Sequence, residues 1–252
     1  MTWPTAPVST TNTDASSDSP ANARADILDL QQKVNEMIAV EPVGRLIGVR
    51  VFSTPGASVY TPTVGTKSVL VECVGGGGGG VGMPSVSSGY RTGGSGGWGG
   101  SYAKSYLTSG FAGVTVTVGS GGAGGPSTGG DGLDGGTSSF GSVMTCPGGS
   151  ASLYLSPTNA TNEAQGPQGP MTAPTGGNIV QIHGAPGGKL MILNGIPFTT
   201  PGGSSQLGSW DWDATMQTGF GAGSPAIFQT YGYAARAGLP GGNGAVIIYE
   251  FS

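Results

Sequence analysis

The chain has 252 residues, of which 52 are glycine and 18 proline, and only 9% are charged, against roughly 25% in ordinary soluble domains. A net charge of −4 with no cluster of Lys and Arg excludes phosphate-directed nucleic-acid binding from the expectation. No charged and apolar leader opens the sequence, and the longest apolar run, Ala245–Tyr249, is far too short to cross a bilayer. The expected product is soluble, made in the cytoplasm and not membrane-inserted. Glycine and proline at this level usually accompany disorder, but aromatic residues and aliphatic strand patterns recur along the chain, so order is expected after Val43.

Residues 1–19 are rich in Thr, Ser, Asp and Pro without a hydrophobic period and read as an extended arm. Ser19-Pro20 supplies an N-cap and a first-turn proline, which predicts a helix from Pro20 to Ala39 in a segment 20–41 ended by Pro42 and Gly44. Ile27, Leu30, Val34 and Met37 form one narrow apolar stripe, with Asp29 and Lys33 paired at i,i+4. So short a seam is marginal alone and calls for partner helices. β-Branched residues alternating with Leu favour two strands over three in a parallel coiled coil.

From Leu46 the period becomes two. Strands are predicted at 46–52, 58–61, 67–74, 114–118, 140–144, 179–182, 190–193 and 245–251, rich in β-branched residues and separated by glycine and proline. Val69, Val71 and Cys73 share one face, as do Val114, Val116 and Val118, the pattern of half-buried antiparallel strands. Cys73 and Cys146 fall in different strands and are expected to be small buried fillers. Glycine tracts at 75–82, 93–100, 119–125, 129–136, 147–149 and 241–244 lie between the strands. Gly75–Gly80 follows a strand directly, and such a run is either disordered or locked as a threefold extended helix hydrogen-bonded to neighbours. The ordered form is expected. The fold class is therefore mainly β: an N-terminal extended arm and a short coiled-coil helix, then, over 42–252, a glycine-rich antiparallel β-sandwich with polyglycine-type segments.

The opening Val8–Ala15, Asp18-Ser-Pro20 and the helix start at 23–29 resemble the N-terminal attachment segment of tailed-phage tail fibre proteins. Val51–Gly56, Tyr60-Thr-Pro62, Lys67–Glu72, the hexaglycine, Gly100–Lys104, Val114–Gly119, Gly136–Gly141 and Gly241–Tyr249 are similar, in that order, to the glycine-rich C-terminal domain of such fibres. The resemblance implies a homotrimeric virion fibre, synthesised in the host cytoplasm. It implies attachment to the tail or baseplate through residues 1–19, with a receptor-binding C-terminal domain that takes a host surface glycan or outer-surface protein. A non-viral glycine-rich structural or surface protein is the alternative.

The residues for other chemistry are sparse. His183 is the one histidine and alternates with aliphatics in Val180–Gly184, where an imidazole in or under a sheet is expected rather than a catalytic base. Asp131 with Asp134, or Asp211 with Asp213, could form a carboxylate pair for sugar cleavage, but both pairs sit in loops. No zinc spacing, calcium loop or phosphate-binding loop is present, so neither an enzyme nor a cofactor or metal protein is expected. Aromatic loops remain: Tyr90-Arg91, Trp98, Trp210-Asp211-Trp212-Asp213, and Tyr231 with Tyr233. Trp98, flanked by glycines, reads as a filler between glycine helices. The others are the candidate receptor contacts, because exposed Trp and Tyr offer large contact area at small entropic cost.

Overall fold

In the computed structural model the described residues are 20–39, 44–167, 172–210 and 217–252. The expected arm 1–19, Asp211, Trp212 and Asp213 lie outside them. The chain divides into two compact units, residues 1–45 with Ser252, and Leu46–Phe251.

In the first unit, α1 spans Pro20–Ala39, as the Ser-Pro start and the stripe predict. Lys33 pairs with Asp29 at 3.1 Å. Ile27, Leu30 and Val34 are all exposed; the side chain of Met37 lies outside the described residues.

The second unit is built from β1 (Leu46–Phe52), β2 (Gly56–Val59), β3 (Ser68–Val74), β4 (Arg91–Gly94), β5 (Tyr102–Leu107), β6 (Thr115–Val118), β7 (Ser138–Phe140), β8 (Met144–Cys146) and β9 (Tyr154–Thr158). It continues with β10 (Glu163–Gln165), β11 (Val180–Ile182), β12 (Leu190–Leu193), β13 (Ile196–Thr199), β14 (Gly208–Trp210), β15 (Gln217–Gly219), β16 (Ile227–Thr230) and β17 (Ala245–Phe251). The structure is thus mainly β, with antiparallel sheets throughout. One difference from the sequence reading is local: the single strand expected over 140–144 is the turn between β7 and β8. Gly141 takes φ +54° there, and the Val143 amide closes on the Phe140 carbonyl at 3.1 Å.

A five-stranded sheet, ordered β1-β17-β3-β5-β11, faces a four-stranded sheet, ordered β2-β6-β7-β8. Val69, Val71, Cys73, Val246 and Ile248 from one meet Val116, Phe140, Met144 and Cys146 from the other, all buried. The alternation in Ser68–Val74 dictates this face, since side chains of one strand alternate across the sheet. Tyr60 caps the core, its ring 5.9 Å from that of Phe140.

Beyond this sandwich the chain does not turn back. β3 runs straight into Gly75–Gly80, whose amides follow a strict period of three. Gly75 and Gly78 donate to Ser101 and Trp98, Gly76 and Gly79 to Gly136 and Leu133, and Gly77 and Gly80 to Gly242 and Leu239, all at 2.8–2.9 Å. Their carbonyls accept in turn: Gly76 and Gly79 from Gly149 and Ser152, Gly77 and Gly80 from Gly122 and Gly125, and Gly78 from Ser224. The hexaglycine is therefore the axis of a backbone lattice, a threefold extended helix ringed by six others. It donates to the antiparallel neighbours and accepts from the parallel ones. Such spacing leaves no room for a Cβ; one added at Gly78 would drive into the Ser150 carbonyl. The run 96–101 repeats the rule, with Gly96 and Gly99 donating to Gly188 and Ala185, and Gly97 and Gly100 to Ser224 and Gly221.

At the far end of the lattice the runs emerge into two small sheets, β16-β4-β9 and β10-β12-β13. The hairpin β14–β15 returns to the sandwich end, where Leu207 and Phe220 pack against Val74, Tyr102 and Ala245.

Candidate binding surface

The lattice divides the residues singled out in the sequence into two groups. Tyr90, Arg91, Tyr231 and Tyr233 come together at the far end, because β4 and β16 pair there in the register Arg91↔Thr230 and Gly93↔Phe228. Trp210 ends β14 at the sandwich end, opposite Gln217. It is half-buried, and its indole N–H is buried without a partner among the described residues.

At the far end, Tyr90, Tyr231 and Tyr233 are 41%, 63% and 68% exposed. Tyr231-Gly232 makes the turn after β16, with φ +93° at Gly232, a left-handed conformation that glycine adopts without steric cost. Gln229 fixes that turn from beneath. It is buried, and its Nε2 donates to the Pro84 carbonyl at 2.7 Å and to that of Tyr233 at 3.5 Å. The segment continues to Arg236, whose backbone exchanges both hydrogen bonds with Met83 at 2.8 and 2.9 Å. The two tyrosines therefore project from a loop tied at both ends to the lattice exit.

Arg91 is turned to a different task. Its Nη1 donates to the Ala160 carbonyl at 3.0 Å, which holds the loop after β9. Thr92 adds a bond to the Leu155 carbonyl at 2.7 Å on the same pair of strands. Arg91 thus supports the surface that Tyr90 presents.

The sequence reading missed two features of this end. A cleft of about 340 Å³ is lined by Phe228, Gln229, Thr230, Tyr233, Ala234 and Arg236. On β12–β13, Met191 and Phe198 pair directly, as do Leu193 and Ile196, and all four are exposed. Alternation in Leu190–Leu193, where Leu190 and Ile192 are buried, was the available signal for the second feature. The first has none in Ile227–Thr230 alone, because it needs the return of Arg236.

Of the acids weighed for catalysis, Asp131 and Asp134 have structural roles. Asp134 accepts the Ala151 amide at 2.7 Å and Asp131 the Tyr154 amide at 2.6 Å, each carboxylate standing where the lattice offers no carbonyl. Asn243 does the same for the Gly121 amide at 2.9 Å. Trp98 is half-buried in its glycine run. His183 differs from the expectation: it is exposed, one residue beyond β11, because the chain there is already leaving the sheet for the lattice. Among the described residues no three His, Cys, Asp or Glu side chains gather as a metal site, and no helix is long and apolar enough to cross a membrane.

Among protein-family models, one for a glycine-rich domain matches residues 53–250. The chain belongs to the glycine-rich domain family. The match begins within the stretch joining β1 to β2 and ends in β17, so the glycine-rich domain takes in the four-stranded sheet, the five-stranded sheet without β1, the lattice and the far-end sheets. No curated protein matches the chain.

Proposed function

We propose that this chain is a virion tail fibre protein that binds a host surface receptor through the far end of its glycine-rich domain. The observation that carries the reading is the presentation of Tyr90, Tyr231 and Tyr233, exposed, at the end of a lattice with almost no side chains of its own. A rigid scaffold ending in anchored aromatic loops suits recognition, since little entropy is lost when such loops bind. Residues 1–19 attach the fibre to the tail or baseplate, and the exposed stripe of Ile27, Leu30 and Val34 joins three chains. The receptor is a glycan or an outer-surface protein of the host.

Competition with virions for adsorption to host cells tests this. The purified chain blocks adsorption, and a Tyr231→Ala/Tyr233→Ala double variant with unchanged melting blocks it at least about tenfold less well, the loss of roughly 1.4 kcal/mol expected of hot-spot aromatics. Equal blocking by the double variant removes the far end as the receptor surface.

A further inference from the structure

The cleft beside Tyr233 carries a positive charge that no carboxylate among the described residues answers. Elsewhere in the second unit Arg50 lies against Glu250 and Lys104 against Glu72. Arg236 has no carboxylate within 4.0 Å among the described residues, and its Nη2 has one bond, to the Phe228 carbonyl at 3.3 Å. A guanidinium carries five donors in a flat fork, so most of its donors remain for a ligand. In a chain of net charge −4, this is an unanswered positive group at the rim of a cleft.

The walls are aromatic. Tyr233 is 68% exposed and Phe228 38%, on either side of the buried Gln229 that holds the backbone in place. At about 340 Å³ the cleft falls at the low end of the roughly 300–1,000 Å³ of small-ligand sites. That volume suits a small ring, while an extended peptide needs a longer row of side-chain pockets. A ring whose apolar face stacks on tyrosine and whose carboxylate meets a guanidinium bidentately satisfies both features.

We propose that this cleft binds an acidic sugar residue, a pyranose bearing a carboxylate, with Tyr233 and Phe228 flanking the ring and Arg236 taking the carboxylate. The inference rests on the reading of the far end as a receptor surface and names the chemistry of that receptor.

The test uses the full chain with methyl glucuronide and methyl glucoside as probes, followed by ligand-observed NMR titration, alongside the adsorption assay. The glucuronide binds at least about tenfold more tightly than the glucoside, a difference of about 1.4 kcal/mol, and its affinity falls as salt rises. Arg236→Gln abolishes the preference, Arg236→Lys keeps part of it, and Tyr233→Ala weakens both probes. Equal affinity for the two probes in the unsubstituted chain overturns the proposal, and that comparison holds even if a variant misfolds. No binding of either probe, with adsorption still dependent on Tyr231 and Tyr233, also overturns it; the receptor reading then survives with a protein as the ligand. Glucuronide preference with adsorption indifferent to the far end supports the cleft and removes the receptor reading.

Discussion

The Tyr60 phenol donates a 2.8 Å hydrogen bond to the Glu250 carboxylate, across 190 positions of sequence. Thr63 adds its amide at 3.2 Å and its hydroxyl at 2.5 Å, and Arg50 lies 3.8 Å away. One buried acid on β17 thereby ties down the loop between β2 and β3 at the open edge of the core. Burial pushes the Glu250 carboxyl upward, but the donors from Thr63 and Tyr60, with Arg50, outweigh it and hold the carboxyl below its ordinary range. Burial first, then the bond to Glu250, pushes the Tyr60 phenol above its usual range.

A lowered carboxyl stabilises the fold above its unfolded pKa, about 4.3 for Glu, and that contribution is lost as pH falls through the lower folded value. Glu250→Gln should cost about 1–3 kcal/mol at neutral pH, the range for losing charge-assisted bonds with a buried partner left behind. The gap between the two proteins should stay constant above about pH 4.3 and close below it, because protonated Glu resembles Gln. Denaturant unfolding from pH 3 to 8 measures this, and a gap independent of pH removes the charge from the account.

The lattice makes a sharper demand at its axis. A side chain at Gly77 meets the Ala222 carbonyl, and one at Gly78 the Ser150 carbonyl, both backbone atoms hydrogen-bonded elsewhere in the structure. Valine at either position should destabilise by about 3 kcal/mol or more, since the intruded groups are main chain and have no rotamer to escape into. Gly166 is the control: nothing lies within 4 Å of a Cβ there, and alanine should change stability by less than about 0.5 kcal/mol. Amides of Gly75–Gly80 should exchange with deuterium as slowly as those of β3; fast exchange would mean an axis that opens by itself.

The sequence carries the strands better than the lattice, for a physical reason. Val69, Val71 and Cys73 announce their buried face because side chains alternate, and the strand stops at Val74 because glycine follows. β4, Arg91–Gly94, has two glycines among its four residues, and only its pairing with Phe228 and Tyr154 makes it a strand. Which glycine run neighbours which is still harder to read, since backbone groups alone make most of the contacts. Side chains that join in, Asp131, Asp134, Asn243, Ser95 and Ser138 among them, serve as acceptors for amides at single points. The far-end tyrosines were legible through Tyr-Gly-Tyr, a turn with an aromatic on each side. That Trp210 would lie at the opposite end from them was not, because the separation is set by the direction of the lattice runs.

Cys73 and Cys146 are buried free thiols from the two facing sheets, and the Cys146 thiol donates to the Cys73 carbonyl at 3.2 Å. The neighbouring Cys146 side chain, then burial, pushes the Cys73 thiol well above its usual range. Both thiols are buried away from solvent, so neither residue should react with a water-soluble disulfide reagent at pH 8 in the folded protein. Both should react after unfolding in guanidinium. Rapid labelling of the native chain would show that the sandwich edge opens on the timescale of the reaction.

The last prediction concerns α1. Ile27 is 59% exposed, and Leu30 and Val34 share its stripe, while a single helix of this length is marginal in water without packing. An exposed apolar stripe on so short a helix marks an interaction face, and copies of itself are the expected occupants. Light scattering of the full chain should report three times 24.7 kDa. Leu30→Asp places three carboxylates at the centre of the seam and should return the mass toward one chain, with the melting of the glycine-rich domain unchanged. A mass of two chains would keep the seam and correct the number, in line with the preference of Leu alternating with β-branched residues. A folded chain of 24.7 kDa at micromolar concentration would leave the stripe with no role in assembly.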